Sequence, residues 1–213
     1  MKIKKGSVFI IAGLALILAA GILASYNLYD AKRAEKTALL AAEELSRYLE
    51  EKQKQIEGYS KYEDVDFIPD YVLYPDMEMP TTEINGYKYI GVLEIPSLEL
   101  TLPVLDTWSD FLLKISPCRY EGSAYTGSFI IAAHNYTSHF SNLKHLAPGD
   151  RIVFKDVAGN TFYYDVVVQE SLEPTDVEEM KGGDWELTLF TCTPGGQYRV
   201  TVRCEKTEGI PKE

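Results

Sequence analysis

Glu186-Leu187-Thr188-Leu189-Phe190-Thr191-Cys192-Thr193-Pro194-Gly195-Gly196-Gln197-Tyr198-Arg199-Val200-Thr201-Val202-Arg203-Cys204-Glu205 reads as two strands joined by one tight loop. Pro194, Gly195 and Gly196 do not continue a strand easily, so the chain turns after Cys192. Beyond the turn, Val200, Val202 and Cys204 point to one side and Arg199, Thr201 and Arg203 to the other. The apolar set is the expected core face. Working back from this hairpin, the chain is β-rich from Gly86 onward. Residues 87–94 and 98–104 flank an Ile95-Pro96-Ser97 turn, and residues 128–133 form a short apolar run. Residues 151–155 and 161–169 flank Asp156-Val157-Ala158-Gly159-Asn160, a hairpin signal, and Phe162, Tyr164, Val166 and Val168 alternate onto one face. A shorter piece at 119–121 brings the count to about eight strands. Short helices fit at 109–115, 138–146 and 175–180. Strands spaced this closely predict a mainly β domain, an antiparallel barrel or sandwich.

Three side chains stand where strands end. Cys192 closes the run 186–191 and faces a glycine-containing loop, an accessible place for a nucleophile. A free cysteine is also commonly a small buried hydrophobe, and position alone leaves both readings open. Arg199 follows seven residues later across the loop, and an adjacent antiparallel strand brings its guanidinium near the thiol. A fixed cation there would stabilise negative charge on a thiolate or an oxyanion; a solvated arginine is the plainer reading. His134 follows the apolar run 128–133, whereas His139 and His145 fall in a helical stretch where packing or surface roles are expected. A cysteine, a histidine and an arginine at strand mouths form a candidate site for acyl transfer. The three cysteines, Cys118, Cys192 and Cys204, have no CxxC spacing and no zinc-ligand pattern with the histidines, so neither a metal nor a cofactor is called for. Cys118 and Cys204 are either two separate buried thiols or a disulfide pair.

The first 85 residues have another character. Lys2, Lys4 and Lys5 precede an uninterrupted apolar run over 8–24, which with its flanks reaches the length of one bilayer core. Residues 1–27 are expected to be a single-pass, uncleaved signal anchor rather than a cleaved signal peptide, with the lysines keeping the N-terminus cytoplasmic and the remainder outside the cell. Residues 28–58 read as a helical stalk with Ala38, Ala42, Leu45, Leu49 and Ile56 on one stripe and Gly58 as its stop. That stripe serves a dimeric coiled coil, or a stalk that packs on the domain or stands in solvent. Residues 59–85, with Pro69, Pro75, Pro80 and an acidic surplus, are a linker or a segment draped over the domain. A net charge of -11 argues against a nucleic-acid partner and means that contact with membrane lipid must run through the apolar anchor.

Thr188-Leu189-Phe190-Thr191-Cys192 resembles the TLxTC motif of sortases, with Arg199 at about the expected distance. His134-Asn135, with Leu146-Ala147-Pro148-Gly149-Asp150 and Val153-Phe154, resembles the histidine segment of the same family and its continuation. Gly91-Val92-Leu93-Glu94-Ile95-Pro96 and Leu102-Pro103-Val104 are similar to its opening strands. The likeness covers roughly residues 86 to 206, in order. It implies an eight-stranded sortase-like β-barrel over 86–207, with 208–213 as a tail. It also implies a cysteine transpeptidase anchoring surface proteins, with His134, Cys192 and Arg199 catalytic and Thr191 and Asn135 substrate-binding. The implied partners are exported proteins with a C-terminal sorting signal and an amine acceptor, such as a cell-wall peptide precursor or a pilin lysine. An inactive binding module of the same fold and a purely hydrolytic cysteine peptidase are the other readings. Ala133 stands where many members have glycine, and Pro75-Asp76-Met77 is the nearest approach to an aspartate–proline–aromatic lid. These departures leave the subclass and the sorting signal open.

Overall fold

The computed structural model describes residues 5–62 and 68–209. Nine strands follow in chain order: β1 (Thr82–Ile84), β2 (Tyr87–Ile95), β3 (Leu100–Leu105), β4 (Cys118–Ser123), β5 (Gly127–Ala132), β6 (Arg151–Asp156), β7 (Thr161–Leu172), β8 (Leu187–Cys192) and β9 (Arg199–Thr207). Their spatial order is β1-β2-β3-β4-β5-β8-β9-β7-β6, and β6 pairs back onto β2. The last pairing closes eight strands into a barrel and leaves β1 as a short appendage on β2. Closure removes the sheet edges that would otherwise present unpaired backbone groups.

The eight expected strands are all present, and the barrel reading replaces the sandwich. The expectation of a purely antiparallel sheet needs correction, because β3–β4 and β5–β8 are parallel. Each parallel junction follows a long excursion: residues 106–117 separate β3 from β4, and the β6–β7 hairpin lies in sequence between β5 and β8. Parallel neighbours require such crossovers, and period-two patterning carries no information about them. The helical stretches are shorter than expected. Residues 109–115 and 138–146 contain only the 3-10 turns Leu112–Lys114 and Leu143–His145, while α3 is Val177–Lys181.

Alternation fills the barrel. Ile90, Leu93, Phe129, Ile131, Phe154, Phe162, Tyr164, Leu187, Leu189, Val202 and Cys204 share one buried cluster. Where β2 passes from β3 to β6, Gly91 is required by space. A Cβ there would stand 2.2 Å from the Lys155 carbonyl oxygen and 2.7 Å from the Phe154 ring. The opposite face of β9 is covered as well. Arg203, 2% exposed, donates from Nε to Glu170 (2.7 Å), from Nη1 to the Met180 carbonyl (2.7 Å) and Thr188 Oγ1 (3.1 Å), and from Nη2 to the Glu179 carbonyl (2.7 Å). A buried guanidinium is tolerated because its donors are met.

The N-terminal region is one unbroken helix, α1 (Lys5–Tyr62), so Gly58 lies inside it rather than ending it. Its run over 8–24 is long and apolar enough to cross a membrane, and none of those residues is buried. Further along, Ala34, Ala38, Ala41, Ala42, Leu45 and Leu49 are buried. Ala41, Leu45 and Leu49 form a second core with Ile84, Tyr89, Val92, Leu105, Ile115, Cys118 and Val157 on the barrel's outer side. The alanine-rich stripe is therefore a docking face, and small side chains let the helix lie close to the strands. Ile56 has its side chain outside the described set. Residues 68–85 drape over the domain through the short helix α2 (Asp70–Leu73). Tyr71 stacks on Tyr125 with ring centroids 4.8 Å apart, and Met79 is 3% exposed.

Two consequences are measurable. Leu45 is 0% exposed, so Leu45→Ala should lower the unfolding free energy by about 2–4 kcal/mol in a urea titration. A loss under about 0.5 kcal/mol would show that the helix does not stay docked in solution. His139 is fully buried with neither ring nitrogen hydrogen-bonded among the described residues, and burial, then the nearby His134, pushes it from an ordinary 6.5 down to about 4. The unfolded chain then takes up the proton first, so this contribution is intact above about pH 6.5 and is lost as pH falls toward 4. Its size is about 3 kcal/mol. Between pH 7 and pH 4, His139→Leu should lose less stability than the parent by that order, and equal losses would refute a buried neutral imidazole.

Candidate active site

Sequence patterning brings three strand ends to one mouth of the barrel. β8 and β9 pair antiparallel with Cys192 directly opposite Arg199. The intervening loop closes on itself: Thr193 N–H donates to the Tyr198 carbonyl (2.9 Å), Tyr198 N–H to Thr193 Oγ1 (3.0 Å) and Gly196 N–H to the Thr193 carbonyl (2.8 Å). Gly195 and Gly196 take φ of 86° and 74°, conformations that glycine adopts without a Cβ penalty. On the other flank, β5 runs parallel to β8 with Ala132 opposite Phe190. Continuing that register carries Ala133 past Thr191 and His134 level with Cys192, one strand spacing away. Thr191 locks the alignment, since its buried hydroxyl donates to the Ala133 carbonyl at 2.8 Å.

His134, Cys192 and Arg199 thus line one cleft of about 270 Å3. The Arg199 guanidinium donates to the Gly196 and Tyr198 carbonyls at 3.1 and 3.4 Å and, among the described residues, makes no ion pair. Its remaining donors are free to meet an anion. His134 is half-buried, with an Nε2 that has no hydrogen-bond partner among the described residues. Burial pushes its pKa down, Lys114 adds to that, and the charges of Asp30 and Asp110 oppose it. Cys192 is half-exposed, in contrast to the two other thiols. Burial raises Cys118 to about 12 and also raises Cys204, so both stay protonated. They sit in different buried clusters as free thiols.

The remaining walls were not foreseen from the sequence. Trp108, Tyr120 and Phe190 form an aromatic ladder, each neighbouring pair with ring centroids 5.2 Å apart. Val177 and Met180 of α3 close the opposite side. Arg203 holds that helix by its last carbonyls, and Lys181 pairs with Glu121 while lying over the Tyr120 ring. These side chains belong to separate segments with ordinary core patterning, so no local signal marks them. Thr191 lines the cleft with its hydroxyl already engaged; Asn135 follows His134 but is not part of the cleft wall. Among the described residues there is no cluster of three or more histidine, cysteine or acidic side chains fit for a metal.

The Sortase domain family matches residues 93–207. No curated protein matches the chain in sequence. Among solved structures, a Clostridium perfringens sortase D5 transpeptidase aligns with a TM-score of 0.56 at 21% identity, covering 83% of this chain and 99% of that one. A lid mutant of Corynebacterium diphtheriae sortase A aligns at 0.54 and 22% identity, covering 78% and 95%. A C. perfringens sortase C with the C-terminal cell wall sorting motif aligns at 0.51 and 21%, covering 79% and 90%. At these identities the structural matches speak for the fold. The family match spans more than half of the 213 residues and contains all three strand-end side chains, and on that ground the chain belongs to the sortase family.

Proposed function

We propose that this chain is a membrane-anchored transpeptidase that cleaves a C-terminal sorting signal of exported proteins and passes the acyl group to an amine. The observation that carries the reading is the pairing of Cys192 with Arg199 across one loop, with His134 brought level from the parallel neighbour. In this reading the Cys192 thiolate attacks the carbonyl carbon before the scissile bond. Arg199 stabilises the oxyanion that forms. His134 gives a proton to the departing amine as the C–N bond breaks, leaving a thioester on Cys192. An incoming amine attacks that carbonyl and surrenders a proton to the imidazole, and the C–S bond breaks to release the Cys192 thiolate beside the reprotonated His134. A thioester divides one amide exchange into two easier steps. A peptide substrate is supported by the related sortase C that carries a cell wall sorting motif. A cell-wall peptide precursor or a pilin lysine fits the amine acceptor. Asn135, beside His134, is a candidate contact for the bound peptide. The apolar run over 8–24 supports a single-pass anchor with a cytoplasmic N-terminus and an extracellular domain.

The test is a peptide-library assay with and without an added amine, read by mass spectrometry. Cys192→Ala should abolish thioacyl formation with unfolding unchanged within about 1 kcal/mol; an adduct trapped on Cys118 or Cys204 would refute the assignment. Without amine, the thioester should accumulate or hydrolyse slowly. Product formation indifferent to amine would instead favour a hydrolytic peptidase.

The two arginines should separate by kind of effect. Arg199→Ala should lose turnover by about 100-fold or more while the fold stays intact. Arg203→Ala removes a buried guanidinium with four hydrogen-bonded partners and should cost about 2–4 kcal/mol of stability. Turnover lost from a fully stable Arg203→Ala protein, with Arg199→Ala active, would reverse the roles.

A further inference from the structure

Tyr136 makes a contact that the reaction scheme does not use. Its hydroxyl donates to Asp30 Oδ2 at 2.7 Å, joining residues 106 positions apart. Asp30 stands on α1, six residues beyond the apolar run and four before Ala34, the first buried alanine of the docked face. Its other oxygen accepts from Arg33 Nη2 at 2.8 Å, so the carboxylate is braced from within the helix. The Tyr136 hydrogen bond, foremost, and Arg33 hold that carboxylate below its ordinary pKa, which keeps it ionised. On the domain side, the Tyr136 ring packs against His134 with centroids 5.1 Å apart and against His139 at 5.3 Å. Among the described residues the His134 Nε2 has no hydrogen-bond partner, and the Tyr136 ring is the aromatic neighbour that packs against the imidazole. That packing is anchored through the Tyr136 hydroxyl to the helix.

We propose that Asp30 and Tyr136 are a positioning pair for His134, so that the active site is complete only while the membrane-proximal end of α1 is docked. The inference rests on the reading of His134 as the proton donor. Tyr136 supplies a ring that sets the plane of the imidazole, and Asp30 fixes the Tyr136 ring by its phenol end. An imidazole left to rotate spends less time aimed at the leaving amine, and small misplacements in a reacting geometry are costly in rate. Asp30 also bears on charge. The groups around His134 are Asp30 and Arg33 on α1, Asp110 and Lys114 in the segment after β3, His139 beside Tyr136, Cys192 and Arg199 on β8 and β9, and Glu173 and Asp176 across the cleft. Lys114 and Asp30 act on the imidazole with opposite signs, so removing Asp30 leaves Lys114 less opposed.

The experiment uses the full chain in detergent or bilayers, with a cleavable sorting-signal peptide and an added amine. Asp30→Ala and Tyr136→Phe should each lower kcat about tenfold with KM little changed. The double variant should be no worse than the poorer single, because both remove one contact. Asp30→Asn keeps an acceptor for the phenol and should restore kcat to within about threefold of the parent. It should still move the His134 titration, followed by NMR of its ring, to lower pH, since a negative charge that favours imidazolium is gone. Folded Asp30→Ala and Tyr136→Phe proteins with parental kcat would overturn the pair, as would losses that multiply in the double variant. An unmoved His134 titration in every Asp30 variant, beside an inactive His134→Gln protein, overturns the pair alone. A His134→Gln protein with full turnover overturns instead the reading of His134 on which the pair rests.

Discussion

Backbone hydrogen bonds between β8 and β9 hold Cys192 across from Arg199, and the site hangs on that register. A slip of one residue would turn every side chain of β9 to the opposite face. Val202 and Cys204 would leave the core and Arg203 would enter it. The register is guarded on both faces at once. Apolar side chains demand the barrel interior, and the Arg203 guanidinium demands Glu170 and the carbonyls at the end of α3. The side chains at the strand ends are thus aligned by groups that lie further along the same strand and outside the cleft.

The same economy governs the histidine. β5 reaches β8 only after a crossover, yet once paired its register brings His134 beside Cys192 without a dedicated loop. Thr191 spends its hydroxyl on the Ala133 carbonyl, which ties the two strand ends just beneath His134 and Cys192. The residue before Cys192 therefore acts as a clamp between strands, and its hydroxyl is already engaged within the protein.

Strands with strong alternation were legible in the sequence, as were the three side chains at their ends. β1 was not, because three residues of Thr-Glu-Ile carry no periodic signal. Nor were the parallel junctions, since alternation describes faces and says nothing about which strand lies alongside. The stripe on α1 was visible, but whether alanines face a second helix, solvent or a barrel wall depends on a surface assembled from β2, β3 and the segment before β4. The partnership of Tyr136 with Asp30 was invisible for the same reason: its members are remote in sequence, and each taken singly is an ordinary polar residue.

The continuity of α1 has a geometric corollary. Six residues of helix separate Ala24 from Asp30, a rise of about 9 Å, and each residue turns the helix by about 100°. A helix that crosses a bilayer and then docks without a hinge acts as both ruler and compass. In that geometry the residue count sets both the height of the domain above the end of the apolar run and the direction in which the cleft faces. One inserted residue would lift the barrel by only about 1.5 Å but swing it through more than a quarter turn. Facing is therefore far more sensitive to the length of this segment than height is, and a flexible tether would have left both undefined.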